Sequence, residues 1–158
     1  MDPAPTHIRE RTRRLLGAVY REEFRSAAYR AYHRRAREEQ LRKMLGTFLQ
    51  AQARMISLLE GHLRDLGVHR AGRGALRRII GALGSSVGTL TSLRGADAVL
   101  RRIQSEEGRG ADHYGDEIDW EGWSEAEKQT LEGHACDQLY QKKWAGTVER
   151  DLKSGESG

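Results

Sequence analysis

A charged residue set into the middle of an apolar helical stripe constrains this chain more than any other feature. In the segment 99–118, VLRRIQSEEGRGADHYGDEI, the residues Val99, Ile103, Glu107, Gly110, Tyr114 and Ile118 recur at steps of three and four, so a helix there places all six on one face. Burying an unpaired carboxylate is costly. Glu107 therefore requires a metal ion, a hydrogen-bond partner or a proton, or else a rotation of the helix that turns it to water beside Glu106 and Arg109. The same spacing occurs earlier, where Glu22 and Tyr29 stand seven apart, as Glu107 and Tyr114 do, with the small residues Ser26, Ala27 and Ala28 between them. A glutamate with a tyrosine two turns along one face, once in each half of the chain, points to a duplicated helical hairpin.

Other features bound the fold class. The 158 residues suffice for one core but not for two ordinary domains. Both prolines precede residue 6, and Ala, Leu, Arg and Glu abound, which favours an all-α chain. Many of the 18 glycines cluster between Gly67 and Gly95 and at the C-terminus, as turns and a loose crossover would require. The net charge of +4 hides an asymmetry: residues 1–80 carry +10 and residues 81–158 carry −6. Such halves attract each other, and an arginine-rich half can also meet phosphate-rich surfaces. The single Cys136 cannot form an internal disulfide, and MDPAPTHIRERTRR has no apolar run of signal-peptide length, so a cytoplasmic location is expected. The most apolar stretch, 79–93, is too short and too rich in Gly and Ser to span a membrane.

Taken in order, residues 1–6 read as a flexible N-terminus and 7–37 as a first helix with inward Leu15, Val19, Ala27 and Ala31 and an arginine-rich outer face. Acidic residues interrupt that face, and it lacks the aromatic platform on which bases stack, so no nucleic-acid partner is expected. A second helix, 40–66, follows the stripe Leu41, Leu45, Phe48, Gln52, Met55 or Ile56, Leu59, Leu63 and Leu66 and closes at Gly67, a C-cap glycine. Residues 74–93 form a helical crossover that leaves an apolar patch on the surface. The helix at 96–118 leads into DWEGW, after which Ser124 and Glu127 make a capping box for a last helix to 152. Its inner face runs through Leu131, Ala135, Gln138, Gln141 or Leu139, Ala145, Val148 and Leu152, and 153–158 reads as a disordered tail.

The chain contains no glycine-rich phosphate loop, no paired-cysteine pattern and no G-x-S-x-G elbow. A repeat of Leu-Glu-Gly-His at 59–62 and 131–134, each followed by an aspartate, invites a His/Asp pair on each of two helices. His62, however, lies 33 residues beyond Tyr29 and His134 only 20 beyond Tyr114, which puts the two at different heights.

The run from Gly95 through Glu107 to His113 and Tyr114 resembles the third core helix of the demethoxyubiquinone hydroxylases, of the ferritin-like superfamily, whose motif is a glutamate followed six and seven places later by His-Tyr. GALGSSVGTLTSLRGA, at 81–96, is similar to that family's glycine-rich apolar segment, and Glu22 with Tyr29 looks like its first-helix motif. Stress-associated ferritin-like bacterial proteins share the Glu-x6-Tyr signature. The resemblance covers nearly the whole chain and implies an antiparallel four-helix bundle with a helical crossover over 7–152. It also implies two irons, held by a glutamate from each of the first and third helices and a Glu-x-x-His from each of the second and fourth.

Here the sequence departs from the family. No Glu-x-x-His occurs; Gln52 with Met55, and Gln138 with Gln141, stand where the pairs belong. Glutamine and thioether are poor ligands for iron. Glu22, Tyr29, Gln52, Met55, Glu107, His113, Tyr114, Gln138 and Gln141 are accordingly expected to form a buried polar network in a vestigial metal site, with no cofactor. The expected role is a non-catalytic binding or scaffold protein. The alternative is a di-iron monooxygenase with an altered site completed by His33, His62, His113 or His134. The expected partners act through 79–93, which in the resembled family faces the lipid that supplies the quinone: an apolar ligand, a peripheral membrane contact or a second copy of the chain in a homo-oligomer.

Overall fold

The computed structural model describes residues 5–69 and 74–155 and contains five helices: α1 (Pro5–Arg35), α2 (Glu39–Asp65), α3 (Ala75–Ser92), α4 (Ala96–Ile118) and α5 (Glu125–Gly155). No strand occurs among the described residues, and no helix there is long and apolar enough to cross a membrane. Helix α1 starts at Pro5, inside the expected flexible N-terminus. Helix α5 reaches Gly155, three residues into the expected tail, and residues 1–4 and 156–158 lie outside the described ones.

Local chemistry sets the boundaries. Gly67, at φ 83°, ends α2 in a Schellman motif, with Val68 N–H donating to the Leu63 carbonyl and Gly67 N–H to that of Arg64. Ser124 and Glu127 form the reciprocal capping box at the start of α5: Ser124 N–H donates to the Glu127 carboxylate at 2.7 Å, and Glu127 N–H to Ser124 Oγ at 3.3 Å. Arg11 of α1 clamps the same Glu127, 2 % exposed, at 2.9 Å, which ties the start of α5 to the first turns of the chain.

Two apolar cores lie along the four long helices, and α1, α2, α4 and α5 each contribute to both. The first gathers Tyr29, Tyr32, Leu45, Phe48, Ile103 and Val148 among others; the second gathers Leu15, Val19, Leu59, Leu63, Tyr114 and Leu131. Each fully buried large side chain contributes roughly 1.5–3 kcal/mol. The order in which each helix passes the cores fixes its direction. Helices α1 and α5 run toward the first core, and α2 and α4 away from it. The chain must therefore return between α2 and α4, and α3 does this along α1.

Helix α3 is not a loose connector. A Cβ at Gly84 would lie 2.2 Å from the Phe24 carbonyl oxygen, and one at Gly88 2.5 Å from that of Ala28, so these two glycines let the backbones of α3 and α1 meet. Its outer face is bare: Leu76, Ile79, Leu83, Leu90 and Leu93 are each more than half exposed.

Candidate functional site

Between the two cores, and reaching into each through a tyrosine, lies a layer of buried polar side chains. Helix α1 supplies Glu22, Arg25 and Tyr29, α2 supplies Gln52, α4 supplies Glu107 and Tyr114, and α5 supplies His134, Gln138 and Gln141, all buried. Glu107 does not rotate to water; it is 0 % exposed. The two glutamates and two tyrosines pair crosswise between α1 and α4. Tyr29 donates to Glu107 Oε1, and Tyr114 donates to Glu22 Oε1 at 2.8 Å. The Glu-x6-Tyr spacing that occurs in each half of the chain thus closes into a reciprocal pair of hydrogen bonds.

Arg25 sits at the centre. Its Nη1 lies 3.4 Å from Glu22 Oε2 and 3.7 Å from Glu107 Oε2, so one guanidinium is shared by both carboxyl groups. His134 Nε2 lies 3.0 Å from Glu22 Oε1. Gly110 makes the arrangement possible, because a Cβ there would lie 2.6 Å from both Arg25 Nη2 and Gln138 Nε2. Burial pushes the Glu22 carboxyl up, but Arg25, His134 and the Tyr114 hydroxyl outweigh it and bring its pKa down to about 2. Glu107 goes the other way: burial raises it, and Arg25 and Tyr29 only partly oppose this. Burial also weakens the case for a charged Arg25, yet Glu22 and Glu107 together push its pKa above the ordinary value. Tyr29 and Tyr114 are both raised, by burial and by the adjacent carboxyl groups, and act as neutral donors. The layer therefore rests on one buried ion pair, Arg25 with Glu22, beside a glutamate biased toward its neutral form.

The α2 and α5 side differs. Neither amide atom of Gln52 nor of Gln138 has a hydrogen-bond partner; on the α4 side, Glu107 Oε2 makes no hydrogen bond but lies 3.7 Å from the Arg25 guanidinium. Met55 is buried in the second core. His113 lies outside the layer, with its side chain 39 % exposed and 3.9 Å from Glu117, because it stands one residue off the α4 stripe. Of the other histidines, His62 bonds Thr130 Oγ1 at 2.8 Å between α2 and α5, and His33 lies beside Gly46.

Sequence reasoning missed Arg25, which reads as one more arginine on a basic face. Its signal was position: three residues after Glu22 and four before Tyr29, on the same helical face. The inner face of α5 runs through Leu131, Gln138, Gln141, Ala145 and Val148 as expected, with Leu139 exposed; the one departure is at the second position, where His134 rather than Ala135 is buried.

No protein-family model, no curated protein and no solved structure matches this chain. The donor set does not fit a dinuclear iron centre. Both carboxyl groups face a permanently cationic guanidinium, and glutamines stand on α2 and α5. Among the described residues no group of three or more His, Cys, Asp or Glu is placed to hold a metal ion.

Proposed function

We propose that this chain is a ferritin-like antiparallel four-helix bundle, similar in plan to the demethoxyubiquinone hydroxylases, whose dimetal centre has given way to an arginine-centred polar network, and that it serves as a non-catalytic binding or scaffold protein of the cytoplasm. The observation that carries this reading is Arg25 shared between Glu22 and Glu107. One fixed positive charge lies where a metal-bridging pair of carboxylates would need a cation, and it neutralises Glu22 without any metal. Helix directions support the plan: α2 and α4 are parallel, and α3 returns the chain between them. The bare face of α3 supports a contact surface for an apolar partner.

One observation favours the second reading, a di-iron hydroxylase with an altered site: the His134 imidazole stands beside Glu22. Metal content separates the two. The protein purified from iron-supplemented cells is expected to carry far less than one iron per chain, with no change in Glu107→Gln. About two irons per chain, lost in that variant, would restore the enzyme.

A further inference from the structure

A cleft opens beside the polar layer, on the α1, α3 and α4 side of the molecule. Its volume is about 410 Å³, within the range of roughly 300–1,000 Å³ usual for small-molecule sites. Phe24, Ile80 and the ring of Tyr114 give it an apolar wall, and Arg25 and Gly110 line it where it meets the polar layer. Arg21 and Arg109 line it too, and both are exposed.

The charge on this cleft is unbalanced. Among the described residues neither Arg21 nor Arg109 forms an ion pair with a carboxylate; the Arg21 guanidinium lies over the Tyr114 ring, 5.6 Å from its centroid. The carboxylate lining the cleft, Glu106, is taken by Arg102. The nearby Glu23 is taken by Arg77. His113 lines the cleft as well, and partial burial and Arg21 hold its pKa below the ordinary value. Arg25 spends Nη1 on the two glutamates, and its other terminal nitrogen faces Gly110. Two guanidinium groups without a carboxylate partner beside an apolar hollow fit a ligand with an anionic head and an apolar body, and a neutral apolar ligand would leave them unneutralised.

We propose that this cleft binds a free amphipathic carboxylate, such as a medium-chain fatty acid, with the carboxylate held by Arg21 and Arg109 and the chain laid along Phe24, Ile80 and Tyr114. The lining of the cleft is the same whether or not the polar layer descends from a metal site, so iron content and carboxylate binding fail independently.

The test is calorimetric titration of the full chain with dodecanoate below its micellar concentration, against dodecanol and inorganic phosphate. One saturable site for dodecanoate is expected, with binding weaker by roughly tenfold or more for dodecanol and in Arg21→Gln/Arg109→Gln. Because both arginines are exposed, that variant should keep the parent's melting temperature. Ile80→Asp, which sets a like charge in the apolar wall, should abolish binding while inorganic phosphate binds neither protein. Unsaturable, multi-equivalent uptake of dodecanoate overturns the proposal, as does binding that the double arginine variant leaves unchanged. So would capture of phosphatidylglycerol vesicles through Arg21 and Arg109 without uptake of free dodecanoate, which would make the patch a membrane contact.

Discussion

The polar layer has two sides, and they solve the burial of polar groups differently. On the α1 and α4 side, Glu22, Arg25, Tyr29, Glu107 and Tyr114 form a connected set in which each group meets another. On the α2 and α5 side, Gln52 and Gln138 are as deeply buried, yet their amides find no partner. Charge holds the first side, which His134 of α5 joins at Glu22, whereas the two glutamine amides only fill space beside it. The difference teaches that a pair of acidic residues can persist inside a helical protein when one cation is supplied to them. Once they are so neutralised, nothing presses the facing positions to stay polar.

The largest effect should come from removing that cation. Replacing Arg25 by Met leaves the Glu22 carboxyl buried without its main counter-charge, and is expected to cost about 3–5 kcal/mol in urea or thermal unfolding. Adding Glu22→Gln to Arg25→Met should recover much of the loss, because the charge that needed neutralising has gone. If Arg25→Met melts with the parent, the guanidinium does not hold the layer and the two sides are alike.

The opposite sign is expected across the layer. Each unpartnered buried amide forfeits about 1–3 kcal/mol of hydration without return. Gln52→Met and Gln138→Met keep the unbranched shape, which matters at 138, where Gly110 leaves little room. The pair of substitutions should raise stability by about 1–3 kcal/mol. A loss of similar size would mean that these amides are satisfied in solution, and that the two sides form one network.

How much of this was legible in the sequence follows the period of the helices. The α2 stripe from Leu41 to Leu66 stood out because apolar residues recur there with few interruptions, and it proved buried as far as Leu63, Gln52 included, with Leu66 half-buried against the second core. Gly67 and the Ser124–Glu127 pair were legible because caps are short-range chemistry. Glu107 was legible as a misfit, but its fate was not, since periodicity places a residue on a face and cannot say whether a partner waits there. Arg25 was hidden for the same reason: its role depends on Glu107, 82 positions away, and on a hydrogen at Cα of Gly110. The glycines of the crossover misled. Gly84 and Gly88 read as looseness, whereas here they permit a close backbone approach between α3 and α1.

The smallest effect, and the sharpest, concerns Glu107→Gln. The amide keeps an acceptor for Tyr29 and removes an acid whose burial already favours the neutral form, so at pH 4.5 stability should change by less than about 1 kcal/mol. The pH dependence then separates the two glutamates. The folded pKa of Glu107 is raised above the ordinary 4.5, so its contribution is fully present below that value and lost as the pH climbs through the folded pKa. Glu22 is lowered to about 2, so its contribution is present above 4.5 and lost as the pH falls from 4.5 through 2. Glu107→Gln should therefore gain on the parent as the pH rises from 4.5, and both proteins should share the same acid limb set by Glu22. Unfolding curves taken at intervals between pH 2 and pH 8 read both slopes. A Glu107→Gln deficit that widens with pH would show a charged Glu107 as the stabilising form, which would place the negative charge of the layer on both glutamates.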